Sequence, residues 1–170
     1  MKHTNITRMP PRGRRIFGHA QADHIQDPYE RQKKLHEGTT CPQCAAVFHQ
    51  GRWHWAPKPA ESHEELCSAC HRIQDKQPAG VVTLTGPFAR EHRKEIIELA
   101  RHQEQAEKND HPMNRIMAIE EDGEALVIST TDIHLPRRLG EAIKRAFHGR
   151  LDMHFDEEGY FVRVDWQRED

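Results

Sequence analysis

Cys41-Pro42-Gln43-Cys44 and Cys67-Ser68-Ala69-Cys70 contain every cysteine of the chain, with residues 45–66 between them. A Cys-x-x-Cys pair can grip one metal ion from a tight knuckle turn, and two knuckles supply the four sulfurs of a tetrahedral zinc site. The spacing predicts one structural zinc ion held by Cys41, Cys44, Cys67 and Cys70. Two disulfides are a rival use of four cysteines. Met1-Lys2-His3-Thr4-Asn5-Ile6-Thr7-Arg8, however, has no apolar run of the signal-peptide kind, which favours a reducing, cytoplasmic setting and free thiols. A thioredoxin-like redox pair would sit at a strand-to-helix junction, and two pairs flanking a Trp-rich hairpin do not have that form.

Between the knuckles, Ala45-Ala46-Val47-Phe48-His49 and Arg52-Trp53-His54-Trp55 read as two short strands joined at Gln50-Gly51. A hairpin beside a Cys-x-x-Cys is the pattern of a zinc ribbon. Phe48, Trp53 and Trp55 are expected to cover the metal, because so small a module has little other core. His49, His54, His63 and His71 lie near the cysteines, but four well-spaced sulfurs leave them outside the ligand set. Upstream, Asp27-Pro28-Tyr29-Glu30 has the form of a helix start, with Asp27 as N-cap and Gly38 just past the expected end.

From Gly80 onward the pattern is longer and periodic. Val81–Thr85 is a strand stopped by Gly86-Pro87, and residues 88–107 form a helix with Phe88, Ile96, Ile97, Leu99 and Ala100 on one stripe. Strands at 115–119 and 125–129 pair across Asp122-Gly123. Asp132 then caps a helix over 133–148, with Leu135, Leu139, Ile143 and Phe147 on one face. In a last hairpin, Leu151, Met153 and Phe155 face Val162, Val164 and Trp166. The expected fold class is α+β: a small zinc-ribbon-like module followed by a ferredoxin-like β-α-β-β-α-β-β domain, an antiparallel sheet with two helices on one face. Residues 1–22 form a basic arm, 23–79 the short helix and the four-cysteine zinc module, and 80–170 the α/β domain.

The 170 residues are 35% hydrophobic and 31% charged, and the net charge is −2. Residues 1–22 carry Lys2, Arg8, Arg12, Arg14 and Arg15 with no acid, so a cationic arm precedes an acidic body. With Pro10, Pro11, Gly13 and Gly18, the arm cannot repay its own ordering entropy, and it is expected to be disordered until bound. It suits either contact with nucleic-acid phosphates or a solubilising tail. A second cationic strip, Arg137, Arg138, Lys144 and Arg145, accompanies the last helix. Lys144 and Arg145 also suit a helix C-terminus, whereas Arg137 and Arg138 in the first turn oppose the macrodipole and need another reason, such as phosphate. No phosphate loop, dinucleotide fingerprint, His-Glu-x-x-His or Gly-x-Ser-x-Gly is present, and a closed four-sulfur zinc has no position for an activated water. The chain is therefore expected not to be an enzyme, and no segment is apolar enough to span a membrane.

Cys67-Ser68-Ala69-Cys70-His71-Arg72, then Ala79-Gly80-Val81-Val82-Thr83-Leu84-Thr85-Gly86, and the helix start Thr131-Asp132-Ile133-His134-Leu135-Pro136-Arg137-Arg138-Leu139 together resemble the large-ribosomal-subunit export adaptor family, which has archaeal homologues, or a short bacterial branch of it. The resemblance covers residues 41–168. It implies a zinc-dependent adaptor that rides on the large ribosomal subunit and touches ribosomal RNA and proteins. Family members usually carry further Cys-x-x-Cys pairs and C-terminal domains, so for this chain the implied role is ribosome or RNA association rather than export. A protein-interaction adaptor with a purely structural zinc is the alternative, and a redox or metal sensor using the same cysteines is a third.

Overall fold

Alternating apolar residues dictate most of the architecture, which the computed structural model describes for residues 27–30, 34–156 and 160–170. The basic arm with Arg8, Arg12, Arg14 and Arg15 lies outside these residues, as do residues 31–33 and 157–159. The elements run β1 (Val47–His49), β2 (Arg52–His54), α1 (Ser68–Asp75), β3 (Gly80–Thr85), α2 (Pro87–Glu91), α3 (Arg93–Asp110), β4 (Ile116–Asp122), β5 (Ala125–Thr130), α4 (Leu135–Phe147), β6 (Arg150–Asp156) and β7 (Phe161–Gln167). The fold is α+β, with a two-stranded hairpin β1-β2 and a five-stranded sheet ordered β4-β5-β3-β7-β6.

That sheet is mixed, which corrects the expected antiparallel one. β3 pairs with β7 in parallel, Val82 opposite Val164 and Leu84 opposite Trp166, while the other three pairings are antiparallel. The last hairpin has the anticipated register, Leu151 opposite Trp166, Met153 opposite Val164 and Phe155 opposite Val162. Its second strand, however, takes the interior place. Phe161, Val162, Val164 and Trp166 of β7 are buried, whereas the residues of β6 are mostly half-buried and include the charged or polar Arg150, Asp152 and His154. Placing β7 inside removes more apolar surface from water, and the charged strand is left as an edge that resists further pairing.

Val82 and Leu84 of β3, Leu126 and Ile128 of β5, and Val164 and Trp166 of β7 share one core with Ile96 and Ala100 of α3 and Leu135, Leu139 and Ile143 of α4. Both long helices thus cover one sheet face. The buried Trp166 indole N–H donates to the His148 carbonyl at 2.6 Å, so its polar atom is satisfied. The helix expected over 88–107 is broken at His92, whose backbone (φ −104°, ψ 25°) leaves helical geometry between α2 and α3. Phe88 stacks on the His92 ring at 4.0 Å at this break. Upstream, Asp27 accepts from the Tyr29 N–H and Glu30 N donates to the Asp27 carbonyl, which makes a turn. Residues 34–36 are irregular, so the helix expected to run up to Gly38 does not reach it.

Asp132 caps the start of α4, although the helix begins at Leu135 rather than at 133: Oδ2 accepts from the backbone N–H of His134 (2.8 Å) and Leu135 (3.0 Å). Its Oδ1 is buried without a hydrogen-bond partner among the described residues. Burial raises this carboxyl to about 7, against the lowering effect of the two backbone N–H groups. The native state therefore holds the proton more tightly than the unfolded chain, in which the acid ionises near its usual value. The resulting stabilisation is fully present in acid and is lost as pH rises through about 7. Asp132→Asn keeps an acceptor for the cap and carries no charge. The unfolding free energy of D132N minus that of the wild type should rise between about pH 4 and pH 7 and then level off, measured by urea titration. A pH-independent difference would contradict the buried, proton-binding carboxyl.

Candidate metal centre

The first knuckle is built by backbone hydrogen bonds. Cys41 N donates to the Ala46 carbonyl at 2.8 Å and Ala45 N to the Cys41 carbonyl at 2.9 Å, which turns the chain back over Cys44. Ala45 sits at φ 66°, a left-handed position that a residue with a Cβ adopts only at some cost. Gln50 (φ 49°) and Gly51 (φ 82°) then close β1 onto β2 with His49 opposite Arg52, the two-residue turn anticipated there. In the second knuckle Cys67 caps α1, its Sγ accepting from the Cys70 N–H at 3.4 Å. Thr40 ties the two knuckles together, its carbonyl receiving the Glu65 N–H and its own N–H donating to the His63 carbonyl.

This framework brings all four predicted sulfurs to one point, every pair within 4.8 Å. Cys41, Cys67 and Cys70 are buried and Cys44 half-buried. Cys44 and Cys67 Sγ are 3.8 Å apart, far beyond a disulfide bond, and the four thiols are free. A tetrahedron with zinc–sulfur bonds of about 2.3 Å spaces its sulfurs by roughly 3.8 Å, so the donor set fits such an ion. With only protons to share, the sulfurs are in conflict. Hydrogen bonds from Cys67 and Cys70 hold Cys44 well below the usual thiol range, while Cys44 pushes Cys70 up to about 11 and Cys67 higher still. A bound cation would relieve this, because all four could then be thiolates.

One further residue at this centre comes from the segment that leads into β4. The Arg115 guanidinium donates through Nη1 to Cys70 Sγ at 3.3 Å and through Nη2 to Cys44 Sγ at 3.2 Å, with Cys67 Sγ at 3.7 Å. Nε donates to the Pro112 carbonyl at 2.6 Å, and the guanidinium lies 5.5 Å from the centre of the Trp55 ring. Arg115 is only 7% exposed. Burial opposes its charge, but the hydrogen bonds to Cys44 and Cys70 more than offset this and raise its pKa above the ordinary value. In the sequence it is merely the first residue of an expected strand. Its only signal is a cation following the turn His111-Pro112-Met113-Asn114.

Among the described residues, the four cysteines are the one group of three or more potential metal ligands. The nearby histidines have other partners: His49 with Glu37 at 2.8 Å, His63 stacked on His36 at 4.4 Å, and His71 with Asp75 at 3.4 Å. Trp53 packs against the cysteine cluster as expected. Trp55 does not join that core; it is 40% exposed and donates its indole N–H to the Lys108 carbonyl at 2.7 Å.

The cationic residues of the last helix divide. Arg138 pairs with the buried Glu107, which supplies the reason that its place in the first turn demanded. Arg137, Lys144 and Arg145 have no ion pair among the described residues, and Lys144 and Arg145 are exposed with Arg137 half-buried. Their spacing puts them along one flank of α4, with Glu141 between. No helix among the described residues is long and apolar enough to cross a membrane. Comparison with protein-family models, with curated proteins and with solved structures finds no match.

Native mass spectrometry should find one zinc ion per chain. Each of Cys41→Ser, Cys44→Ser, Cys67→Ser and Cys70→Ser should weaken zinc binding by more than the roughly 10–100-fold that an outer-sphere change costs. Full zinc content in any one of these variants under chelator competition would remove that sulfur from the ligand set.

Proposed function

We propose that the protein is a non-enzymatic, zinc-stapled adaptor that binds RNA, on the ribosome or free, through the cationic flank of α4. The observation that carries the zinc part is the convergence of four protein sulfurs, which would complete a tetrahedral ion and leave no position for a reacting water. In this reading the zinc is structural, the knuckles and β1-β2 act as a zinc ribbon, and the domain from residue 80 is a ferredoxin-like arrangement with one strand inserted beside β3. A reducing, cytoplasmic setting keeps the thiols available.

Arg137, Lys144 and Arg145 support the RNA part, since cations without an acidic partner among the described residues, spaced along one helix flank, match the charge of a phosphate backbone. The arm with Arg8, Arg12, Arg14 and Arg15 would add further phosphate contacts, and Arg138 contributes less because Glu107 already engages it. A role on the large ribosomal subunit is what the motif resemblance implies. A second reading, a protein-interaction adaptor, is favoured by Trp55 and Ile73, large apolar side chains left 40% and 41% exposed.

The triple variant Arg137→Gln, Lys144→Gln, Arg145→Gln should weaken co-sedimentation with ribosomes and binding to ribosomal RNA. It should also reduce the slope of log affinity against log salt by about 2. An unchanged affinity and slope would reject the RNA interface, and salt-insensitive capture of one defined protein would favour the second reading.

A further inference from the structure

We propose that Arg115 is a positioning residue of the metal centre and that metal binding is what docks the cysteine module onto the α/β domain. The inference rests on the zinc reading above and adds to it a second role for the ion, as a latch between two parts of the chain.

The physical case begins with an unusual counter-ion. Arg115 is buried, and among the described residues the only oxygen acceptor of its guanidinium is the Pro112 carbonyl; the rest of the group faces Cys44, Cys67 and Cys70. Thiol sulfur is a weak acceptor, whereas thiolate is a charged one. Four thiolates around one divalent ion leave an excess of negative charge in a buried place, and a planar cation reaching two or three sulfurs at once offsets it. Neither partner is comfortable alone. A buried guanidinium without negative sulfurs is an uncompensated charge, and a buried four-thiolate centre without a cation nearby is equally costly.

The same geometry makes the latch. Arg115 belongs to the α/β side, its N–H donating to Thr131 Oγ1 at 3.0 Å and its carbonyl accepting from Thr131 N at 2.9 Å. The sulfurs belong to the knuckles. The other side-chain contacts that cross this junction among the described residues are few: Ser68 Oγ meets Met113 Sδ at 3.3 Å, Trp55 donates to the Lys108 carbonyl while its ring lies beside Arg115 and Lys108, and the Arg72 guanidinium lies 5.8 Å from the centre of the Tyr160 ring. A module with so small a core has little else to hold it there, so loss of the ion removes the charge that keeps Arg115 seated.

The test uses the full chain loaded with zinc, then with cobalt. Arg115→Met should lower zinc affinity in chelator competition by roughly 10–100-fold, and Arg115→Lys, which keeps the charge but not the fork, should recover part of it. In the cobalt form, loss of the N–H···S hydrogen bonds should shift the thiolate-to-cobalt charge-transfer band to longer wavelength. This readout would not move if Arg115 only filled space. Hydrogen exchange on the wild type needs no variant: chelation should deprotect residues 112–117 together with 41–46 and 67–71, while β3 and β7 stay protected. Zinc affinity within about twofold in R115M, far short of the loss an outer-sphere partner brings, together with an unshifted cobalt band would overturn the positioning role. Continued protection of 112–117 while the knuckles open would overturn the latch. A wild type that takes up neither metal would instead overturn the zinc reading, and this proposal with it.

Discussion

A buried guanidinium facing three sulfurs is the contact on which the seating of the cysteine module against the sheet and its helices turns. Charge cannot be taken out of water without compensation, and here the Arg115 cation and the cysteine cluster compensate each other. Among the described residues, the apolar side chains packed with the cysteine cluster are Ala46, Ala69, Trp53, Leu66 and Met113, the last contributed by the segment that leads into Arg115. A core of this size does not hold a fold by itself. Metal ligation would supply what it lacks, since free energy of binding to a site formed only in the folded chain is folding free energy.

From Arg115 the constraint passes into the sheet and α4. Thr131 exchanges hydrogen bonds with Arg115 and donates its hydroxyl to the Met113 carbonyl, and the next residue, Asp132, caps α4. Two consecutive residues thus join the seat of the metal centre to the start of the helix that carries Arg137, Lys144 and Arg145. α4 is held from its other side by Leu135, Leu139 and Ile143 in the main core, so its cationic flank faces outward from a rigid support. The mixed order of the sheet serves the same end, because β7 brings Val164 and Trp166 beneath this helix.

What was legible in the sequence was whatever local chemistry fixes. The Cys-x-x-Cys spacing located the four sulfurs, because a knuckle turn is decided by a few adjacent residues. Alternation of apolar residues located the pairing of β4 with β5, though not the register shift between Ile116 and Ala118, and gave the register of the β6-β7 hairpin; Asp132 announced the helix it caps. What was not legible depended on competition between distant parts. Either strand of the last hairpin could have lain beside β3, and only the larger apolar face of β7 decided it. The break at His92 sits inside a stretch whose apolar period continues through it. Nothing local ties the cation Arg115 to the cysteines, since it stands 45 residues from Cys70 and 71 from Cys44, and the partner that Arg138 needs is not visible nearby because Glu107 lies on another helix.

The most direct measurement is X-ray absorption at the zinc edge of the purified protein. Four sulfur scatterers at about 2.3 Å are predicted, with no nitrogen or oxygen in the inner shell. A mixed shell containing nitrogen or oxygen would mean that a histidine, a carboxylate or water completes the site, and the closed, purely structural centre would then be contradicted.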